Sequence, residues 1–261
     1  MTTATSIPKG STVLVTGVNG YLGMHVADQL LLDGYKVRGT VRDSGKIERT
    51  KEYFDQKYGE GNFDVSVVKD LAAVKAAWAP PPYTSDRRIS VYSASKTQAE
   101  QKAWELVKNA SAFKFNSINP SLILGKVLHP KQNKSTAGLV LGMMYGAPEA
   151  IAMLKMKGAQ WAVNPVDVAK LHVIALTDPA VSIEERILAY AEKMNFNKVV
   201  DKLGELAGAD AVKTLEKIKE GDTDLSKVDV ARAEELLRGV RSSGLKGFDE
   251  SLKELLDSVA A

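Results

Sequence analysis

Short apolar segments alternate with helical patterns in the first part of the chain. Thr12–Thr16, Lys36–Val41 and residues 63–68 are apolar and rich in β-branched residues, so they predict strands. Between the first two, apolar residues in 25–32 recur at helical spacing. Strands that alternate with helices indicate an α/β fold with a doubly wound parallel sheet.

The second half predicts a smaller lobe mixed with late elements of the sheet. Residues 114–124 and 186–191 predict strands, and the leucine and valine stripes of four segments predict amphipathic helices that face a core. Asp229 and Asp249 are suitable N-caps for the last two helices. The four segments are 199–207, 211–219, 230–237 and 250–259.

Composition narrows the class of protein. With 261 residues, 44% hydrophobic and 26% charged, the chain can bury a large core. The 35 basic and 32 acidic residues are balanced and form no basic cluster, so neither nucleic acid nor membrane is an expected partner. The absence of cysteine excludes disulfides and thiolate metal sites, and together with an apolar-poor N-terminus it favours a cytoplasmic location. The three histidines lack metal-ligand spacing, so no metal site is expected.

Three glycines follow the first strand and open the first helix. Gly17, Gly20 and Gly23 form a G-x-x-G-x-x-G pattern in the segment GVNGYLG. Without side chains, such a turn lets the backbone approach a pyrophosphate at a helix N-terminus. The pattern indicates dinucleotide binding, which would also involve Tyr21 and Leu22; the alternative is a tight turn without a ligand.

The loop after the second strand bears on the choice of dinucleotide. An acidic residue at the strand end would indicate NAD, but Arg42 comes first, followed by Asp43 and Lys46. Two cations on a short loop can neutralise a 2′-phosphate, which favours NADP(H). Alternatively, they are solvated surface charges. Asp70 and Leu71, past the third strand, are positioned to meet the adenine ring.

The segment VYSASKTQAE contains a tyrosine and a lysine four residues apart. At this spacing Tyr92 and Lys96 share one face of a helix, which alone indicates no chemistry. As a pair, a phenol and an ammonium can act as a proton donor and its activating cation, because a nearby positive charge favours the ionised phenol.

The ordered set of motifs resembles the extended short-chain dehydrogenase/reductases. TGVNGYLG, VRDSGK, VVKDL, YSASKTQAE and NSINPSLILG occur in that order, and the resemblance covers about residues 10 to 260. Within that superfamily the chain looks most like fungal NADPH-dependent aldehyde and ketone reductases related to dihydroflavonol reductases. The resemblance implies a Rossmann-type sheet, a dinucleotide-binding domain at 1–160 and a substrate lobe at 161–261. It also implies NADP(H) as cofactor, a small carbonyl substrate and a monomer or homodimer.

The resemblance implies roles for individual residues. Tyr92 would protonate the substrate carbonyl oxygen, and Lys96 would lower the tyrosine pKa and bind the nicotinamide ribose. Pro120 and Ser121 would lie beside the nicotinamide. Ser135 and Thr136 would lie near the phosphates, or belong to a polar loop without that role.

The chain departs from this family between the third strand and Tyr92. There the family has two further strands and a crossover helix, and a serine after the fifth strand polarises the carbonyl. Here only the 21 residues 71–91 separate Asp70 from Tyr92, too few for those elements. We therefore expect the fourth and fifth strands to be missing, and none of the nearby serines matches the family's serine. Either the later strand moves beside the first, or a gap exposes an apolar edge.

Two functions remain open on sequence alone. The first is an NADPH-dependent reductase of aldehydes or ketones. The second is a catalytically impaired nucleotide-binding protein, or a splice or gene-model variant, that lacks the serine strand. A sugar-nucleotide epimerase or dehydratase is a lesser alternative, which the pair Arg42 and Lys46 disfavours. The missing elements predict at most trace turnover.

Overall fold

The structure, a computed structural model, describes residues 7–68, 88–108, 115–129, 132, 135–181, 184–219 and 223–260, and of residues 46 and 88–90 it describes the backbone only. The strands are β1 Thr12–Thr16, β2 Lys36–Val41, β3 Phe63–Val67, β4 Ser117–Pro120, β5 Leu122–Ile123, β6 Gln160–Val163, β7 Arg186–Ala189 and β8 Glu192–Met194. The helices are α1 Tyr21–Leu32, α2 Ile47–Tyr58, α3 Arg88–Lys108, α4 Thr136–Met144, α5 Pro148–Lys157, α6 Pro165–Thr177, α7 Phe196–Ala207, α8 Ala231–Val240 and α9 Phe248–Ala260.

The first three strands form the parallel sheet that the sequence predicts. Their order is β1-β2-β3, and Val37 of β2 is paired with Val13 on one side and Phe63 on the other. One face of the sheet shares a core with α1 and α2, in which Leu30 and Phe54 are fully buried. This packing confirms the α/β, Rossmann-type fold.

Among the described residues, a groove separates this sheet from the later strands. β4 pairs in parallel with β7, not with β1, so among the described strands β1-β2-β3 and β4-β7 are separate sheets where a doubly wound fold would have one. The groove between β1 and β4 has a volume of about 930 Å³ and is lined by Val13 and Leu14 on one side and Ile118 on the other. Leu14 is 61% exposed. Of the two outcomes that the shortened segment left open, the residues that the structure describes show the gap and not the pairing of β4 with β1. We name this groove the open slot.

Helix α6 packs across the slot and holds the two sides together. Asn164 caps its N-terminus by accepting a hydrogen bond from the backbone N–H of Val166 at 2.9 Å. Val173 of α6 belongs to the same core as Met24 and Leu30 of α1. Burial of apolar side chains between α1 and α6 therefore stabilises the two sides where no described strand pairs β1 with β4.

The remaining elements build the second lobe. β5 pairs in parallel with β6, and β6 pairs antiparallel with β8. The core of this lobe joins α4, α7 and α9 and contains fully buried Phe196, Leu203, Phe248 and Leu252. None of the described helices is long and apolar enough to cross a membrane.

Several sequence predictions are wrong in detail. The single strand expected at 114–124 is two short strands in different sheets, and they separate at Ser121. The helix expected at 211–219 is absent; a 3-10 turn at Ala209–Val212 is followed by irregular chain. The side-chain amide of Asn197 accepts a hydrogen bond from the N–H of Ile218 and donates one to its carbonyl, both at 2.9 Å. These two backbone groups would otherwise form the hydrogen bonds of a helix. Val230 occupies the N-cap position of α8, although the carboxylate of Asp229 accepts a hydrogen bond from the N–H of Ala231 at 3.0 Å; Asp249 lies inside the first turn of α9.

Candidate active site

One cleft brings together several of the residues that the sequence singles out. It has a volume of about 670 Å³ and opens at the carboxyl end of β4 and β5, the edge at which ligands bind in doubly wound sheets. Its lining includes Thr136 and six further residues that the sequence predicts for the site. The six are Tyr21, Leu22, Tyr92, Pro120, Ser121 and Ser135. We name this the active-site cleft.

The glycine turn has the strand–turn–helix geometry that dinucleotide binding requires. Gly17 has φ +64°, a left-handed conformation that favours glycine. A Cβ atom on Gly23 would lie 2.4 Å from the carbonyl oxygen of Gly17, so this close approach excludes any side chain. Gly20 caps α1 without a side chain, which leaves the first N–H groups of the helix open to an anion. These residues fit a pyrophosphate.

Three side chains hold the glycine turn and α1 against the loop that follows β5. The hydroxyl of Tyr21 donates to the carbonyl of Gly125 at 2.5 Å, His25 Nε2 lies 2.9 Å from the carbonyl oxygen of Lys126, and Gln132 Nε2 donates to the carbonyl of Gly20 at 3.3 Å. Burial raises the pKa of Tyr21 and lowers the pKa of His25 to about 4. The side chain of Tyr21 therefore tethers the turn. Sequence reasoning missed Gln132.

The loop after β2 lies outside the active-site cleft. Arg42 is exposed at the strand end. The carboxylate of Asp43 accepts a hydrogen bond from the N–H of Gly45 at 3.0 Å and caps the 3-10 turn Ser44–Lys46. The side chain of Lys46, and Asp70 and Leu71, lie outside the described residues.

Helix α3 carries the tyrosine and the lysine on one face. Tyr92 is 63% exposed and lines the cleft. Lys96 is exposed, and its Nζ lies 5.5 Å from the centroid of the Tyr92 ring. At that distance the ammonium interacts with the face of the ring. Lys96 is not part of the cleft lining.

Glu100, two turns after Tyr92, fastens α3 to the second sheet. Its Oε1 accepts hydrogen bonds from Arg186 Nε at 2.8 Å, Ser117 Oγ at 3.1 Å and Asn119 Nδ2 at 3.1 Å. Trp104 Nε1 donates to the same oxygen at 3.4 Å. Burial acts to raise the pKa of Glu100, but these hydrogen bonds outweigh it and lower the pKa. Glu100 lies in the quoted motif YSASKTQAE, yet sequence reasoning gave it no role.

Two serine hydroxyls at the cleft are buried and have no hydrogen-bond partner among the described residues. They belong to Ser121, at the end of β4, and Ser135, before α4. Ser135 occupies the N-cap position of α4 but makes no capping hydrogen bond. Both hydroxyls therefore have unused hydrogen-bonding capacity beside the cleft.

Two aromatic residues, Trp161 and Tyr190, also line the cleft, and the sequence analysis did not identify them. The rings of Trp161 and Tyr190 meet edge to face with centroids 6.1 Å apart. Trp161 Nε1 donates to Ser226 Oγ at 2.9 Å, which fixes the indole. The sequence signal was an aromatic residue at the start of β6 and another just after β7.

Comparison with known proteins identifies the family. Residues 13–76 match the model of the NAD dependent epimerase/dehydratase family. Ketoreductase adrE of Penicillium rubens is 30% identical over 89% of this chain and 91% of its own length. The chain belongs to this family.

A second relative and a solved structure extend the comparison. Aldehyde reductase 2 of Sporidiobolus salmonicolor is 27% identical over 98% of both chains. That match spans 341 positions against the 261 residues of this chain, so the relative has at least 80 residues without a counterpart here. Gre2 of Candida albicans, solved in complex with NADPH, has 18% identity and a TM-score of 0.73 over 97% of this chain and 99% of its own. The fold is shared even though a long segment is missing.

Proposed function

We propose that this protein is an NADPH-dependent oxidoreductase that reduces an aldehyde or ketone to an alcohol, with Tyr92 as the proton donor. The observation that carries the proposal is that Tyr92, Pro120 and Ser121 line one cleft with Tyr21 and Leu22 of the glycine turn. The names of the reductase relatives support the reaction type.

The residues present fit NADP(H). The N-terminus of α1 is open to the pyrophosphate, and exposed Arg42 at the end of β2 can meet a 2′-phosphate. Asp43 does not occupy the first position after the strand, and its carboxylate is turned to the N–H of Gly45. When bound, NADPH supplies a hydride to the carbonyl carbon.

Tyr92 provides the proton. As the C–H bond forms, the electron pair of the carbonyl π bond moves to oxygen, and the phenol proton of Tyr92 is transferred there. The ammonium of Lys96, beside the ring, stabilises the tyrosinate that remains. Because Tyr92 is exposed, the tyrosinate recovers its proton from water. The products are an alcohol and the oxidised cofactor.

A nucleotide-binding protein without turnover is the second candidate. The open slot and the high exposure of Tyr92 favour it, because catalysis benefits from a closed, water-excluding site. Misplacement of reacting groups by about 1 Å can cost about 100-fold in rate.

The test combines cofactor binding with product analysis. Calorimetry measures the dissociation constants of NADPH and NADH, and chromatography measures alcohol formed from a panel of aldehydes and ketones. We expect NADPH to bind and alcohol to form, and Tyr92→Phe to bind NADPH but form no alcohol. Tyr145→Phe is the control, because Tyr145 is exposed at the end of α4 and does not line the cleft. Binding without product would favour the second candidate, and no binding would refute both.

A further inference from the structure

Ser121 lies at the point where the chain passes from the second sheet to the third. Its backbone N–H donates to the carbonyl of Ala189 in β7 at 3.1 Å, so its main chain is fixed to the sheet. Leu122, the next residue, is paired with Ala162 of β6. Ser121 is thus held from both sides at the carboxyl end of β4, within the active-site cleft.

The hydroxyl of Ser121 is buried and unpaired. Its oxygen is inaccessible to water and has no hydrogen-bond partner in the part of the chain that the structure describes. Buried hydroxyls without a partner are rare in folded proteins because an unmade hydrogen bond is unfavourable. The side chain has one rotatable bond to its oxygen, so the hydroxyl can be aimed into the cleft while the backbone stays in place.

Ser121 is also fixed relative to the helix that carries Tyr92. Glu100 of α3 accepts hydrogen bonds from Ser117 and Asn119, which belong to the strand that Ser121 follows. Ser135, the other unpaired hydroxyl, lies before α4 and has no such link to α3 among the contacts described. Ser121 is therefore the hydroxyl whose position is set together with the proton donor.

We propose that Ser121 is a further catalytic residue, whose hydroxyl donates a hydrogen bond to the carbonyl oxygen of the substrate while that oxygen gains negative charge. The inference rests on the proposed function. The proton that ends on the product comes from Tyr92, whereas Ser121 keeps its own proton and only stabilises the charge. It takes the place of the serine that the shortened segment lacks, so it offsets the loss of that donor.

The test uses Ser121→Ala, Ser121→Thr and Ser93→Ala in the full chain. Removing one donor to a developing oxyanion typically lowers kcat by about 100-fold to 1000-fold. We expect at least a 100-fold lower kcat for Ser121→Ala, with the dissociation constant of NADPH changed less than twofold, and recovery of most of the rate in Ser121→Thr, which keeps a hydroxyl. Ser93→Ala is the control, since Ser93 is exposed on α3 and does not line the cleft.

The outcomes separate this inference from the proposed function. If the parent chain forms alcohol and Ser121→Ala forms it equally fast, Ser121 is not a donor and the inference fails alone. If the parent chain binds NADPH but forms no alcohol, both fail. Thermal melting of each variant shows whether a lost rate reflects unfolding. If Ser121→Ala does not fold, Ser121→Thr decides, because a threonine variant that folds but has lost the activity contradicts a role for the hydroxyl alone.

Discussion

Replacing Glu100 with alanine should loosen the helix that carries Tyr92. The substitution removes the acceptor of three donors that belong to β4 and β7: Ser117, Asn119 and Arg186. A hydrogen bond to a charged group contributes about 1.5 to 3 kcal/mol, and a neutral donor left unpaired costs about 1 kcal/mol or more. Arg186 is 53% exposed, so water replaces much of its lost contact. We therefore expect the free energy of unfolding to fall by about 2 to 3 kcal/mol.

In a protein of this size, each kcal/mol shifts the melting temperature by roughly 2 to 4 °C, so Glu100→Ala should melt about 4 to 12 °C lower. Glu105→Ala is the matched control on the same helix. Glu105 forms an ion pair with Lys102 in which both side chains are more than 60% exposed, so its removal should leave the melting temperature unchanged. Equal melting temperatures for the two variants would refute the idea that Glu100 fastens α3.

The pH dependence provides a second check on the same contact. The pKa of Glu100 is lowered in the folded state, whereas an unperturbed glutamate has a pKa of about 4.3. The stabilisation from its charge is therefore complete above about pH 4.3 and is lost as the pH falls through the lower folded value. The difference in stability between the parent chain and Glu100→Gln should shrink over that acidic range. A difference that grows in acid would show that the charge is unfavourable in the folded state.

Three further predictions concern the cofactor site and its support. Arg42→Ala should narrow the preference for NADPH over NADH by about 1 to 2 kcal/mol in calorimetric binding, and parent affinities that are equal for the two cofactors would refute 2′-phosphate recognition. Gly23→Ala should lower the free energy of unfolding measured in denaturant, because the new Cβ would overlap the carbonyl oxygen of Gly17. The control Gly239→Ala places its Cβ in open space on α8 and should be neutral or slightly stabilising, so equal effects of the two substitutions would contradict the close approach. Folding lowers the pKa of His25 from about 6.5 to about 4, so protonation of His25 should reduce the free energy of unfolding by up to about 3 kcal/mol as the pH falls between those values. In urea unfolding, the free energy of unfolding of His25→Gln should fall less steeply with decreasing pH than that of the parent chain, and equal pH dependence would contradict this.

Local sequence determined the first sheet and the glycine turn. β1 and β2 have the predicted bounds because short β-branched runs bounded by glycine and polar residues specify strands without help from distant contacts. Gly17, Gly20 and Gly23 could be interpreted for the same reason, since their spacing already fixes where backbone can approach a phosphate. The pair Tyr92 and Lys96 needed only the periodicity of a helix.

Residues that act through distant partners could not be found in this way. Glu100 meets Arg186, 86 positions further along the chain, and Gln132 meets Gly20 across 112 positions. Neither residue has a local pattern that predicts its partner. The helix expected at 211–219 failed for a related reason, because the side chain of Asn197 binds both backbone polar groups of Ile218. Tertiary hydrogen bonds there outweigh an amphipathic pattern.

The open slot extends to the glycine turn, so the shortened segment affects the surroundings of the candidate cofactor site. Leu22 lines both the slot and the active-site cleft, so the two cavities meet at the first turn of α1. In a complete sheet, a strand beside β1 would support this turn through backbone pairing. Here the support comes from the other side, through the hydrogen bonds of Tyr21, His25 and Gln132 to backbone carbonyls. Because these contacts bypass the slot, the glycine turn and the cleft can keep their geometry while β1 exposes Leu14 beside them.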